Sequence, residues 1–382
     1  MDELSAWLTL ARAPGLHAGT LASLLKHFPD AASIVAASHA ALRAAGLDAS
    51  STQWLGAPPH DAIARDLRWL ERDSQHFIPW GSALYPRLLS ELSDAPVGLY
   101  VRGNPALLTL PQLAMVGSRN PTPAGRETAH RFAAQLARAG LVITSGLAIG
   151  IDAACHRGAL DAAGFTIAVC GTGLDIAYPR ANAELAEAVA AHGALVSEFA
   201  LGTPALKSNF PRRNRVISGL ALGTLVVEAA LRSGSLITAR LAAEQGRDVF
   251  AIPGSINNEL AQGCHQLIQS GAKLVATADD IFVELRGALD DNPGTLAPVV
   301  AASALATQPT DATGNMSSPL DKEYEILLDA LGFEPAGVDL LVERTGLRAD
   351  EVASMLLMLE LADRIESYPG GLYVRARPKA VK

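Results

Sequence analysis

The chain has little of what marks secreted, disulfide-bonded or membrane-spanning proteins. Its 382 residues include three cysteines, Cys155, Cys170 and Cys264. These are too few for a disulfide framework, so we expect a reducing compartment. The first residues lack the basic start and the apolar run of a signal peptide. No uncharged apolar run is long and regular enough to span a bilayer. These absences predict a cytoplasmic protein without a membrane span.

Several motifs of small-molecule chemistry are also missing. No Gly-x-Gly-x-x-Gly follows the first buried strand, where Arg119 stands in place of a glycine, and no P-loop of the form Gly-x-x-x-x-Gly-Lys-Ser/Thr occurs. The pairs Cys155–His156 and Cys264–His265 have no CxxC or HxxxH companion, which favours structural burial over metal binding. Ser233–Ser235 does not match the nucleophile elbow Gly-x-Ser-x-Gly. We therefore expect neither ATP hydrolysis nor a bound metal or other cofactor.

Composition and charge narrow the class of protein. Aromatic residues make up only 5% of the chain, whereas hydrophobic residues make up 49%, which suits tightly packed α/β layers and helices. A chain of this length is expected to contain two or three domains. The formal charge of -8 argues against a histone-like general DNA binder. Any nucleic-acid site must therefore be a local concentration of positive charge.

The order of predicted elements divides the chain into five segments. The first segment, residues 1–75, resembles a SAM or helix-hairpin-helix module. Within it, Ala13–Leu16 resembles the hairpin of a helix-hairpin-helix module. A small helical packing domain is nevertheless the favoured interpretation of that segment. The segments are 1–75 with short helices, 76–111 as a connector with short strands, 112–286 with alternating strands and helices, 287–319 as a flexible linker, and 320–376 as a winged-helix domain.

The alternation in residues 112–286 predicts a layered α/β fold. Strands that are apolar throughout, such as Leu113–Gly117 and Thr224–Glu228, alternate with helical patterns such as Ala124–Ala139. Apolar strands joined by helices are typical of a parallel sheet that is covered by helices on both faces. We therefore predict an extended, doubly wound, Rossmann-like sheet.

The last segment has the order of a winged helix-turn-helix, a fold whose third helix usually reads duplex DNA. Here that helix carries Asp350, Glu351 and Glu360 and no base, and residues 323–374 contain 11 acids against 3 bases. Because phosphate repels an acidic helix, protein contact or packing is favoured over duplex reading.

A basic segment, Lys207–Leu220, stands out from the acidic chain. It holds four cations and no acid, together with one aromatic residue, Phe210. Cations that follow a phosphate backbone, beside a ring on which a base can stack, are what single-stranded nucleic acid requires. Pro211 is placed to open a helix, whose free N–H groups would add to an anion site. The cations are Lys207, Arg212, Arg213 and Arg215.

Small, polar turns follow several strands of the predicted sheet. In an open α/β sheet, ligands bind outside the carboxyl ends of the strands, where glycine lets the backbone approach a ligand. One such turn alone is ordinary chain reversal, but four turns beside a basic loop favour an anion site, into which Arg119 and Lys207 would both project. The turns are Gly117–Asn120, Ser145–Asp152, Gly171–Gly173 and Arg232–Thr238.

Six motifs follow one another in the middle of the chain. They are Met115–Arg119, Thr144–Asp152, Lys207–Gly219, Val227–Ala229, Ser233–Ala239 and Ile252–Gly254. In this order they closely resemble the DNA-processing protein A family, also called DprA or Smf. The resemblance covers about residues 100–285 with specific motifs, and both flanking modules resemble those of the family less specifically.

The resemblance implies an extended Rossmann fold that binds single-stranded DNA as a homodimer. Proteins of this family coat incoming single strands during natural transformation, protect them and help load the recombinase RecA, with no known catalytic activity. From the resemblance we expect single-stranded DNA, RecA and a second copy of the chain as partners. We expect no enzyme activity and no cofactor.

Carried over to this sequence, the resemblance implies a strand site of three kinds of group. Arg119, Lys207 and Arg212 would pair with phosphates, Phe210 would stack on a base, and glycines would let the backbone approach the strand. The full expected set is Gly117, Ser118, Arg119, Gly146, Lys207, Phe210, Arg212, Arg213, Asn214, Gly234 and Ser235.

Two other functions stay open at this point. One is an enzyme of the nucleotide-phosphoribohydrolase type on a related fold, with Glu228 as catalytic acid and a nucleotide-sized pocket. Enzymes of that type are expected to carry a Pro-Gly-Gly-x-Gly-Thr turn. This chain lacks that turn, since Leu222–Thr224 matches only its last two residues. The other is an adaptor with a purely structural sheet domain, against which the basic cluster speaks. For Asp152 and Glu198, capping or holding a loop is favoured over acid–base chemistry.

Overall fold

Six short helices form the N-terminal part of the molecule. The computed structural model describes residues 2–290, 319–332, 335–362 and 364–375. Four of the six helices begin at an Asp or Ser side chain that accepts a hydrogen bond from the amide three residues on, which explains where they start. The helices are α1 (Glu3–Arg12), α2 (Ala18–Leu24), α3 (Ala31–Ala36), α4 (His39–Ala44), α5 (Ala49–Leu55) and α6 (His60–Leu70).

A buried ion pair fastens these helices to the rest of the molecule. Arg12, at the end of α1, donates to both carboxylate oxygens of Asp66 on α6 at 2.6 Å. The same carboxylate accepts a hydrogen bond of 2.9 Å from the Tyr100 hydroxyl, and Arg12 also reaches the Leu201 carbonyl at 3.2 Å. Because the polar groups of this pair find partners, its burial is tolerated and its geometry fixes the docking angle.

The hairpin Ala13–Leu16 is used for packing. The amides of Ala18 and Gly19, at the start of α2, donate to the carbonyls of Ala95 at 2.9 Å and Ser93 at 3.1 Å. A helix-hairpin-helix module would offer amides at this place to a phosphate. Their use within the protein supports the interpretation of this region as a packing domain.

Nine strands form one sheet. Their bounds are β1 (Gln75–Pro79), β2 (Gly98–Gly103), β3 (Gln112–Val116), β4 (Val142–Ser145), β5 (Thr166–Val169), β6 (Ala194–Ser197), β7 (Gly223–Val226), β8 (Asp248–Ala251) and β9 (Lys273–Leu274). The order across the sheet is β1-β2-β6-β5-β4-β3-β7-β8-β9. Strands β3 to β9 pair in parallel, while β1 and β2 add an antiparallel edge next to β6.

The segment predicted as a connector, 76–111, therefore contributes two strands to the sheet. The short strands expected in this segment are thus part of the main sheet, which its content of proline and glycine does not indicate. One of these glycines has a packing reason, because a Cβ at Gly98 would lie 2.2 Å from the Phe77 ring on the paired strand. The glycine lets the two edge strands pair with that ring lying across them.

Helices cover both faces of the sheet. On β3, Leu113 and Met115 face one core and Ala114 and Val116 face the other, as the pleat requires. The predicted doubly wound, Rossmann-like α/β fold is confirmed. The helices of this part are α7 (Arg87–Ser90), α8 (Pro123–Arg138), α9 (Ile151–Asp161), α10 (Ala183–His192), α11 (Asn209–Leu220), α12 (Ser235–Glu244), α13 (Gln262–Gln269) and α14 (Ala278–Asp290).

The strand order reverses between β3 and β7. From β3 the chain adds β4, β5 and β6 on one side, and α11 then carries it back to β7 on the other side. Helix α11 follows β6 and precedes β7, so it begins at the edge where the parallel strands end. A helix start at this edge directs the positive end of its dipole there.

The C-terminal part is a winged helix, as predicted. It contains α15 (Pro319–Leu331), β10 (Ala336–Gly337), α16 (Val338–Thr345), α17 (Ala349–Leu361), β11 (Ile365–Tyr368) and β12 (Leu372–Arg375), with its sheet in the order β10-β12-β11. Arg344 pairs with Glu127 on α8 at 3.2 Å. Of the predicted linker, 287–290 belong to α14 and 291–318 lie outside the described residues. Within the described ranges, no helix has the length and apolar character that crossing a membrane requires.

A buried histidine on α9 gives the fold a specific pH dependence. His156 is fully buried, and its Nδ1 lies 2.7 Å from the Thr166 Oγ1. That hydroxyl donates to the Ile143 carbonyl, so the ring nitrogen donates to the hydroxyl. Burial lowers the pKa of His156 to about 3. The histidine is therefore neutral in the folded protein at any mildly acidic pH.

We expect His156 to make the protein less stable as the pH falls from about 6.5 toward 3. In this range His156 is protonated in the unfolded chain but stays neutral in the folded protein. The free energy of unfolding therefore falls by up to about 1.4 kcal/mol for each pH unit. Urea unfolding between pH 7 and pH 4, with His156→Gln as the comparison, measures this slope. In the variant, the free energy of unfolding should depend less steeply on pH. Equal pH dependence in both proteins would show that protonation of His156 does not lower the stability.

Candidate nucleic-acid interface

The turns singled out in the sequence meet at one edge of the sheet. Gly117 follows β3, Gly146 follows β4, Gly171 follows β5, and the turn Arg232–Thr238 follows β7 and runs into α12. Since these strands are neighbours and parallel, their carboxyl ends lie side by side. Helix α11 begins at the same edge. The fold thus brings the glycine turns and the basic segment together, as expected.

A half-buried aromatic ring forms the centre of this edge. Phe210 lies in the first turn of α11, against the turn after β5, where a Cβ on Gly171 would lie 3.0 Å from the ring. The guanidinium carbon of Arg119 is 5.9 Å from the ring centroid. Arg119 is exposed. Arg119 and Phe210, which come from motifs far apart in the chain, therefore form a single surface.

The ring of Tyr178 adjoins that of Phe210. The two centroids are 5.5 Å apart and the ring planes make an angle of 40°. Tyr178 is not among the residues that the sequence predicts for this site. An aromatic residue in the same connection as the glycine turn after β5 was the available signal, but nothing in the sequence indicates that this connection returns to α11.

Two cations of the basic segment are exposed. Lys207 precedes α11 and is exposed. Arg212 has 63% of its side chain exposed, with its guanidinium carbon 5.3 Å from the Phe199 ring and a nitrogen 3.6 Å from the Glu198 carboxylate. An ion pair at this length and exposure is weak. Lys207 and Arg212 are therefore free to meet an anionic ligand.

Arg213 is not available to a ligand, contrary to the expectation for the basic segment. Only 5% of it is exposed, and its guanidinium donates to the carbonyls of Gly146 and Val169. Burial lowers the pKa of Arg213, while the carboxylate of Asp152 acts in the opposite direction. Arg213 is a structural residue, because its side chain is directed into the ends of β4 and β5.

Arg215 is also held within the protein. It pairs with the buried carboxylate of Glu198 and lies 3.4 Å from Asp94. Burial raises the pKa of Glu198, against the opposing effect of the arginines. The basic segment has no acid in sequence, but the fold supplies acids from elsewhere. Glu198 therefore holds α11 through an ion pair, and not through the helix cap or loop hydrogen bonds that the sequence favoured.

Asp152 holds the turn after β4, as expected for a structural carboxylate. Its Oδ2 accepts from the amides of Gly146 at 3.1 Å and Ala148 at 3.4 Å. Gly146 is thus occupied at both its amide and its carbonyl. A Cβ at Gly146 would lie 2.2 Å from an Arg213 nitrogen, so this glycine makes room for the arginine and not for a ligand.

The backbone at the end of β3 also serves the fold. The Ser118 amide donates to the Glu228 carbonyl at 2.7 Å, and the Ser118 hydroxyl accepts from the Asn120 amide at 3.1 Å. A Cβ on Gly117 would lie 2.7 Å from Ile151. Both backbone groups of Ser118 are used within the protein, since its carbonyl accepts from the Ile151 amide at 3.1 Å, and the space beside Gly117 is filled by Ile151.

The remaining expected residues lie on α11 and at the start of α12. Asn214 is half-buried on α11. Ser235 is buried, with its hydroxyl 2.7 Å from that of Ser233. Gly234 is exposed, and a Cβ there would meet no atom within 4 Å. Of the expected glycines and serines, Gly234 presents the most open backbone.

Helix α11 begins earlier than the sequence suggests. It starts at Asn209, so Pro211 is its third residue and not its first. The first turn tolerates proline because its N–H groups have no partner within the helix. The Asn209 side chain donates to the carbonyls of Gly171 at 3.1 Å and Pro204 at 3.2 Å. These bonds fix the start of the helix to the sheet.

The crevice at the strand-order reversal is nearly filled. The Glu228 carboxylate accepts from the Thr122 amide at 2.9 Å and from its hydroxyl at 2.6 Å. The Thr122 hydroxyl in turn accepts from the Gly125 amide and so caps the start of α8. Burial raises the pKa of Glu228. The cavity beside it has a volume of about 160 Å³ and is closed on one side by winged-helix residues, Leu340 and Arg344 among them. Pockets for small molecules and cofactors are commonly about 300–1,000 Å³.

Two sequence families match the chain. The model of DNA recombination-mediator protein A matches residues 76–286, and that of the DprA winged helix domain matches residues 302–371. Protein Smf of Escherichia coli (strain K12) is 44% identical over 342 residues, which are 88% of this chain and 87% of that protein. DNA processing protein DprA of Streptococcus pneumoniae is 51% identical over 200 residues, 52% of this chain and 71% of that protein.

Solved structures agree with the sequence match. DNA processing protein A from S. pneumoniae has a TM-score of 0.66 at 37% identity, covering 74% of this chain and 98% of that one. The protein of the same name from Helicobacter pylori, whose structure concerns its single-stranded DNA binding mode, has a TM-score of 0.51 at 29% identity, covering 56% and 97%. The chain belongs to the DNA recombination-mediator protein A family, also called DprA or Smf.

Proposed function

We propose that this protein binds single-stranded DNA at the carboxyl edge of its sheet. The observation that carries the proposal is the half-buried Phe210 ring beside the exposed guanidinium of Arg119, 5.9 Å away. Lys207 and Arg212 add exposed positive charge at the start of the same helix. Cations along a backbone path with a ring for a base suit a single strand of any sequence. The single-stranded DNA binding mode of the H. pylori relative supports the same assignment.

The wider role proposed here rests on family membership. The protein would coat and protect incoming single strands during natural transformation, help load RecA onto them, and act as a homodimer in the cytoplasm without catalytic activity. Direct contacts are assigned to Arg119, Lys207, Phe210 and Arg212, with Asn214 and Gly234 beside them. Arg213 and Gly146 belong to the support of the site, because they bind each other. So do Gly117, Ser118 and Ser235, which are packed or bonded within the protein.

The hydrolase alternative finds less support. Its catalytic acid would be Glu228, but that carboxylate is already bonded to Thr122, the residue that caps α8. The adjoining cavity of about 160 Å³ is smaller than the roughly 300–1,000 Å³ usual for small-molecule and cofactor pockets. Incubation with nucleoside monophosphates should therefore release no free base. Release that is abolished by Glu228→Gln would favour the enzyme over the binding protein.

Charge reversal at Lys207 should weaken binding to single-stranded DNA. With three exposed cations at the site, we expect the logarithm of affinity to fall with the logarithm of salt concentration with a slope of about -2 per protomer. Lys207→Glu should reduce the steepness of that slope by about 0.7 or more, since one phosphate contact is lost and a repulsive charge is gained. Fluorescence anisotropy with labelled single-stranded and duplex oligonucleotides across a salt series measures both quantities.

The matched control for this reversal is Lys26→Glu. Lys26 is an exposed lysine in the N-terminal helical part, so its reversal makes the same change in net charge away from the site. We expect the affinity of this variant for single-stranded DNA, and its salt slope, to equal those of the unmodified protein. If both reversals weaken binding equally, the effect is one of net charge and the site is wrongly placed. No binding to single strands even at low salt would refute the proposed function.

Neighbouring arginines on α11 should behave in opposite ways. Arg213→Met removes a buried cation that bonds two carbonyls and offsets the charge of Asp152, so the free energy of unfolding should fall by about 3–5 kcal/mol. Arg212→Met removes an exposed cation, so stability should change by less than about 0.5 kcal/mol while affinity for single strands decreases. Urea unfolding and anisotropy together measure the pair. Equal losses of stability in both variants would contradict this division of roles.

A further inference from the structure

An exposed ring next to Phe210 has no assigned role. The Tyr178 side chain is 44% exposed, more than that of Phe210, which is half-buried. Within the described residues, it contacts the Phe210 ring, with 5.5 Å between the centroids, and its hydroxyl has no hydrogen bond there. A large aromatic side chain that is left in water beside a stacking ring is an unexplained feature of the proposed strand site.

The connection that carries Tyr178 is fixed to the sheet. The Gly173 amide donates to the Thr203 carbonyl at 3.0 Å, and the Asn182 side chain donates to the Leu147 carbonyl at 2.9 Å. These bonds hold the chain on both sides of Tyr178. The ring is therefore presented at a defined place and does not have to be ordered when a ligand arrives, which favours binding.

Exposed apolar side chains lie in two chain segments that adjoin residues of the proposed site. Leu206, half exposed, directly precedes Lys207, and Ile149, 41% exposed, lies in the turn after β4. That turn abuts Arg119, because a Cβ at Gly150 would lie 2.6 Å from the Arg119 carbonyl oxygen. Apolar surface with cations at its rim suits the flat face of a nucleobase attached to a phosphate chain.

The spacing of the rings determines how bases can use them. Stacked aromatic faces are about 3.4 Å apart, as in successive bases of a strand, so a base between two rings needs about 7 Å. The 5.5 Å between the centroids of Tyr178 and Phe210 leaves no room for one. Bases that use both rings would therefore stack on the outer side of the pair, with one base for each ring.

We infer that Tyr178 is a second base-stacking residue, which with Phe210 forms a platform for two neighbouring bases of a single strand. The inference rests on the proposed function. It assigns to this site an unpaired strand, because bases in a duplex already stack on one another and cannot lie on two tilted rings.

Affinity for an oligothymidylate tests the inference. Tyr178→Ala should weaken binding about five- to 150-fold, the range for loss of one stacked base. Tyr178→Phe keeps the ring and should restore affinity to within about threefold of the unmodified protein. Neither variant removes a cation, so the salt slope should stay the same, unlike that of Lys207→Glu. The matched control is Tyr368→Ala, since Tyr368 is 49% exposed on β11 of the winged helix.

A merely structural role for Tyr178 predicts different results. If the tyrosine only positions Phe210, then Phe210→Ala and the double variant with Tyr178→Ala should bind equally weakly. Direct stacking predicts a further loss in the double variant. An oligothymidylate with one 5-iodouracil, irradiated in the complex and digested for mass spectrometry, should give an adduct on Tyr178. No adduct there, together with no further loss in the double variant, would overturn the inference.

The same measurements separate the two proposals. If the unmodified protein binds single strands and Lys207→Glu impairs binding, while Tyr178→Ala stays within twofold, the second stacking residue is refuted and the proposed function stands. If the unmodified protein does not bind single strands, the proposed function itself fails. Because Tyr178 is exposed, the alanine variant is expected to fold, and its circular dichroism checks this before binding is measured.

Discussion

The geometry of the edge depends on one buried cation. The Arg213 guanidinium donates to carbonyls at the ends of β4 and β5, with the Asp152 carboxylate close enough to favour its charged form. Taking a guanidinium out of water costs several kcal/mol unless its hydrogen-bonding groups find partners. The arrangement that satisfies it places α11 in one position on the sheet. Phe210, one turn earlier on the helix, lies 6.0 Å from the same guanidinium, so fixing the arginine also fixes the ring.

This constraint sorts the cations of α11 into two groups. Residues on a helix differ by about 100° per position, so Arg212, Arg213 and Arg215 cannot all face the same surroundings. Arg213 is directed into the sheet, and Arg215 is held by Glu198 and Asp94. Arg212 is left largely in solvent, with Lys207 before the helix. Part of the positive charge of this segment thus stabilises the carboxyl edge of the sheet, and the rest is exposed there. The protein as a whole has a net charge of -8.

The sequence predicts the elements well and the individual roles only in part. Strand and helix periodicity, with the rule that parallel strands share one edge, is enough to place Arg119 and Phe210 at the same edge of the sheet. Periodicity does not distinguish the roles of Arg212 and Arg213, since these adjacent arginines differ only in the groups that contact them in the folded protein. Asp94, Asp152 and Glu198 come from distant segments. Gly146 was expected to admit a ligand, yet it admits a protein side chain, and glycine has the same appearance in either role.

The position of the open surface also bears on the kind of ligand. Rossmann-like sheets usually hold small molecules in the crevice where the strand order reverses. Here that crevice, between β3 and β7, contains the Glu228 carboxylate, which is bonded to the Thr122 cap of α8. Beside it lies a cavity of about 160 Å³ that the winged helix lines on one side. The exposed rings and cations lie to one side, on the β3 turn, the connection after β5 and the start of α11. An enclosed pocket selects a molecule that it can surround, whereas an open edge with rings and cations in succession can bind only part of a longer one. In other proteins this fold holds a small molecule in that crevice. In this chain it presents an open surface that suits a segment of a long polymer.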